Sequence, residues 1–99
     1  MNGFNITYET VSPESAADGD AEDRGFIAED LCLEDAYSAL RFEGHAVQAD
    51  CSHGTPRWLT FSPDTDYRTG AETTKSLHFP KGITPSSARR VARLFGLTR

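Results

Sequence analysis

The chain reads as an α+β domain: an antiparallel sheet of about four strands with two helices packed on one face. Three observations predict this. Residues 4–11 alternate apolar and polar side chains, the period of a half-buried strand. Residues 33–42 and 84–96 instead repeat their apolar positions at i, i+3, i+4 and i+7, the period of an amphipathic helix. Strand-like runs fill the space between the two helical stretches, which favours one sheet layer against one helix layer.

Taken in order, Phe4, Ile6 and Tyr8 share one face of the first strand and Asn5, Thr7 and Glu9 the other, with Ser12-Pro13 closing it. Residues 12–25 form an acidic loop in which Ser15-Ala16-Ala17-Asp18 fits a helical turn. Gly25-Phe26-Ile27-Ala28-Glu29 is a short second strand. Leu33, Ala36, Tyr37 and Leu40 make the stripe of the first helix. Glu34 and Asp35 lie in its first turn and Arg41 in its last, as the helix dipole favours. Gly44 stops it. Residues 45–50 read as a strand and 51–56 as a loop. In the strand 57–61, Leu59 and Phe61 lie on one side and Trp58 and Thr60 on the other, with Trp58 expected between sheet and helix. Tyr67–Thr69 and Thr73–Phe79 read as two arms of a hairpin about Gly70, whose backbone freedom suits the turn.

The local signals agree best at residues 76–97. A strand alternating Lys75, Leu77 and Phe79 with Thr74, Ser76 and His78 ends at Pro80. Thr84 caps a helix with Pro85 in its first position. Ala88, Val91, Ala92 and Phe95 form its stripe, and Gly96 ends it.

The 99 residues suit one small domain spanning 1–99, and 37% hydrophobic residues supply one modest core. No apolar run reaches the length of a membrane-spanning helix. The first residues lack the basic-then-apolar pattern of a secretory leader, so a cytoplasmic location is expected. Cys32 and Cys51 are expected as free thiols there. Monomer and homodimer both remain open.

The formal charge of −5 is unevenly spread. Between Glu14 and Asp35 nine acids face the single base Arg24, a net of −8. From Lys81 to Arg99 there are five bases and no acid. Such asymmetry bears on partners and on steering rather than on fold.

No catalytic residue, cofactor or metal emerges. Cys51 and His53 are metal-ligand types, but their CxH spacing is not that of a structural zinc site. Ser76 and His78 share a strand face with Asp64 or Asp66 in reach, yet no nucleophile elbow accompanies them. A non-enzymatic protein is expected, with two candidate surfaces. The acids Asp18, Asp20, Glu22 and Asp23 would meet a basic cleft on a protein partner. Arg89, Arg90 and Arg93 would instead follow nucleic-acid phosphates, an alternative weakened by the acidic whole, of isoelectric point about 5.0.

Residues 7–16 (Thr-Tyr-Glu-Thr-Val-Ser-Pro-Glu-Ser-Ala), the triplet Pro56-Arg57-Trp58, and the runs 76–80 and 86–96 together resemble small uncharacterised proteins of bacteriophages, plasmids and integrative elements. The resemblance spans most of the chain except the stretch around Cys51. It implies a mobile-element origin, and by analogy of size and context an inhibitor of a host defence complex of the anti-CRISPR type. It assigns no residue a role.

Overall fold

The computed structural model describes residues 3–97. Arg99, counted above in the basic stretch, lies outside them, as do Met1 and Asn2 of the N-terminal reading. The elements run β1 (Phe4–Val11), α1 (Pro13–Ala17), β2 (Asp23–Leu31), α2 (Leu33–Leu40), β3 (Ala46–Ser52), β4 (Thr55–Phe61), β5 (Asp64–Thr65), β6 (Glu72–His78) and α3 (Pro85–Leu94). The α+β class and the antiparallel sheet are as expected. The described residues hold six strands and three helices, against about four and two.

The strands lie in the order β2-β1-β6-β4-β3, and β5 pairs with the outer end of β6. Every pairing is antiparallel. Register fixes the two faces. Ile6 stands opposite Leu77, and Leu77 opposite Leu59, so these three meet on one side. Thr7, Ser76 and Thr60 form the corresponding row on the other side.

The first side is covered. α2 brings Ala36 and Leu40 to it, and α3 brings Ala88, Val91 and Ala92. Phe95 links the layers, its ring 5.9 Å from that of Phe61 in the sheet and 5.7 Å from that of Tyr37 on α2. Phe61, Ile6, Leu40, Leu59 and Leu77 are the largest fully buried side chains. Burying each contributes about 1.5–3 kcal/mol, so this layer carries most of the apolar driving force.

Local chemistry sets the helix ends. Thr84 accepts a hydrogen bond from the Ser87 N–H, and Pro85 follows it. At the other end Gly96 turns left-handed at φ 86°. Its N–H bonds the Arg93 carbonyl, and the Leu97 N–H reaches back to the Ala92 carbonyl. This double closure satisfies the last carbonyls and folds Leu97 against the core. α2 is capped by a thiol: Cys32 Sγ accepts from the Asp35 N–H at 3.4 Å.

Several expectations are corrected. The acidic stretch 12–25 holds the expected helical turn, set two residues earlier at Pro13–Ala17, and its end belongs to a strand. Ser12 and Ser15 form a reciprocal capping box that starts α1, and β2 already begins at Asp23. β2 was hard to read because it is an edge strand with two extra residues relative to β1, one of them Ile27, which breaks the two-residue period. Residues 51–56 are a tight hairpin rather than a loop. His53 and Gly54 both take positive φ, 53° and 79°, the geometry of a two-residue turn matched to strand twist. The hairpin about Gly70 exists, but its first arm is Asp64–Thr65. Tyr67–Thr69 belong to the turn, which the Asp66 side chain organises by accepting from the Arg68 N–H. Trp58 lies on the uncovered face, 37% exposed, and not between sheet and helix.

Candidate functional site

The acids named from sequence gather at one corner. Asp18 caps the end of α1, and the Asp20 N–H closes back onto the Ser15 carbonyl. Glu22 donates its N–H to the Thr10 carbonyl, and Asp23 opens β2. All four side chains are exposed. Asp23 accepts a hydrogen bond from the Tyr8 hydroxyl at 3.1 Å. That bond, then the carboxylate's charge and lesser desolvation, raises the phenol pKa above its ordinary value.

The arginines stand elsewhere. Arg89, Arg90 and Arg93 are exposed on α3, which packs over β4 toward the opposite sheet edge from β2. Arg89 and Arg93 line a groove with Val47, Gln48 and Cys51 of β3. The acidic corner and the arginine helix do not neutralise one another. The one salt bridge among the described residues joins Lys75 to Glu43 at 2.9 Å, pinning β6 to the end of α2. The charge asymmetry of the sequence therefore survives as an asymmetry across the sheet.

The remaining sequence candidates do not assemble. Cys32 and Cys51 are both free and exposed. His53 is in the β3–β4 turn, and no group of three or more possible metal ligands occurs among the described residues. Asp64 pairs with Thr73 at the far end of β6 from His78, about 16 Å along the strand, so Ser76, His78 and an aspartate form no relay. His78 is held otherwise. Its Nε2 is 2.9 Å from the Thr7 hydroxyl, and its ring stacks on Trp58 with centroids 5.5 Å apart. Burial lowers its pKa below the usual imidazole value.

Sequence reasoning missed the uncovered face as a surface in its own right. Phe26 of β2 lies opposite Thr7, and Arg24 opposite Glu9. With Trp58, Thr60, Thr74, Ser76 and His78 they line a shallow hollow. The signal was present in β6, where every second residue from Thr74 to His78 is a hydroxyl or an imidazole.

Among the described residues, no helix is long and apolar enough to cross a membrane. No family model, no curated protein and no solved structure matches the chain.

Proposed function

We propose that this protein is a non-enzymatic protein-binding module that docks its acidic corner, Asp18, Asp20, Glu22 and Asp23, onto a basic surface of its partner. The observation that carries the reading is the unspent charge. All four carboxylates are exposed and none takes part in a salt bridge among the described residues. A one-signed surface of this kind speeds encounter with an oppositely charged partner and selects against the wrong ones. The resemblance to mobile-element proteins narrows the partner to a nucleic-acid-handling defence complex, with inhibition of the anti-CRISPR type. A cytoplasmic location goes with that reading.

A second reading is supported by Arg89 and Arg93 sharing one groove wall, with Arg90 beside them. There the α3 arginines would hold nucleic acid directly. The two readings separate in one experiment. Binding of the protein to a purified CRISPR effector complex is measured with and without nuclease, using the quadruple reversal D18K/D20K/E22K/D23K and the triple variant R89A/R90A/R93A. Nuclease-resistant binding weakened at least about tenfold by the reversal, a loss of about 1.4 kcal/mol, is the expected result. Affinity unchanged by the reversal removes the acidic-corner reading. Binding that disappears with nuclease and with the arginines moves the function to α3.

A further inference from the structure

The uncovered face of the sheet has the chemistry of a small-ligand site. Its floor is a set of hydroxyls: Thr7 on β1, Thr74 and Ser76 on β6, and Thr60 on β4. Phe26, 59% exposed, lines it from β2, and the Trp58–His78 stack lines it from β4 and β6. The hollow they bound measures about 530 Å³, within the range of sites that hold small organic ligands. Three of the hydroxyls are already engaged. Thr7 is tied to His78 at 2.9 Å, and Thr60 is 3.4 Å from Ser76. A hydroxyl carries one donor and two acceptor positions, so each keeps capacity for a ligand.

Charge decides among the ligands that aromatic rings attract. The hollow's cation, Arg24, stands opposite the carboxylate of Glu9. Asp50 stands opposite Trp58, and Glu72 extends the same face of β6. Burial lowers the pKa of His78 and so disfavours its cationic form. A nucleic-acid strand would need several cations along its phosphates and meets one, itself facing an acid. Base edges are read best by the forked donors and acceptors of amides and guanidinium groups, whereas this floor offers rotatable hydroxyls. A ring with apolar C–H faces and a rim of hydroxyls matches both the aromatic sides and the floor.

We propose that this hollow binds a neutral saccharide, a pyranose ring resting against the exposed part of Trp58 with its hydroxyls on Thr60, Thr74 and Ser76. The hollow borders the acidic corner through Arg24 and Tyr8, which donates to Asp23, but none of the four corner acids lines it, and it stands whether or not that corner binds a protein.

Trp58 is the chain's only tryptophan, so its emission reports on this hollow alone. The full chain is titrated with cellotetraose, maltotetraose and chitotetraose, with adenosine and a single-stranded RNA hexamer as comparators. Emission and backbone amide shifts are both followed. Expected is a saturable change with at least one of the sugars, with shifts confined to β1, β2, β4 and β6 and a Kd on the order of 1 mM or tighter. By amide shifts, W58F and T60V then weaken that binding at least about fivefold, whereas R89E leaves it unchanged. The proposal is overturned if none of the three sugars gives a saturable change up to about 10 mM, well above such a Kd. It is equally overturned if the shifts map to another face, if both W58F and T60V bind as the wild type does, or if adenosine or RNA binds more tightly than every sugar. The wild-type titration decides the matter even if a variant folds poorly.

Discussion

Leu59 and Thr60 are neighbours in β4 and live under opposite rules. Leu59 points into the layer closed by α2 and α3 and is fully buried. Thr60 points to the uncovered face and touches Ser76 across the strand pair. The same contrast runs along β6, where Leu77 is buried and Ser76 and His78 are not. On the covered side, side chains are chosen by volume, because close packing penalises any change. On the uncovered side they are chosen by what their polar atoms and rings can present. Stability therefore resides on one face, and the other is free to carry recognition.

The sharpest way to break this contrast is a pair of adjacent substitutions. Leu59→Ala is expected to cost about 2–5 kcal/mol in urea unfolding, since a cavity opens in the layer that α3 covers. Thr60→Ala is expected to stay within about 0.5 kcal/mol of the wild type. Equal losses at the two positions would mean that the uncovered face is also part of the core.

A smaller effect is expected at the corner that locks α3 to the covered face. Gly96→Ala places a side chain at φ 86°, where a β-carbon also collides with the ring of His45. A loss of about 1–3 kcal/mol follows, as for other strained backbone positions. His45→Ala should recover part of it by removing the collision, leaving the backbone cost. A Gly96→Ala protein as stable as the parent would show that this closure does not hold the helix.

The smallest effect sharpens the comparison from the open side. His78 has a lowered pKa because burial disfavours its charged form, so the unfolded chain binds its proton more readily than the folded one. The stability gained from keeping it neutral is complete above the unfolded value of about 6.5. It is lost as pH falls from there through the folded pKa. His78→Gln should flatten the pH dependence of unfolding just below pH 6.5, measured as the difference between the two proteins' slopes. Identical slopes would mean that the imidazole titrates as though in water.

The covered face was legible in the sequence because it is written in two clean periods. Ile6 and Leu77 alternate with polar residues in their strands, and Ala88, Val91, Ala92 and Phe95 keep helical spacing. Where the period breaks, reading failed. β2 is an acidic edge strand with added residues, so Phe26 and Ile27 carried no clear side assignment. Trp58 misled for a different reason. β4 is apolar or aromatic on both sides, and sequence alone does not say which side the helices will choose. Hydropathy favours burying a tryptophan, but the register that pairs Leu59 with Leu77 turns it outward, where His78 supports its ring. The acids and arginines were legible as charge. Their separation to opposite parts of the fold was not, since it depends on the strand order.

The pairing of β1 with β6 sets Asn5 opposite His78 at the middle of the sheet. During synthesis the two hairpins β1–β2 and β3–β4 can each close as soon as they emerge, but a lone two-stranded ribbon is marginal in water. The helix α2 can fold back onto β1 and β2, but neither Ile6 nor Leu59 gains its Leu77 neighbour until the strand that lies between them has left the ribosome. The domain is thus committed to folding late, and a nascent chain stalled before Glu72 is two unjoined ribbons, of which β3–β4 still lacks α3 and keeps its apolar side open to whatever binds first.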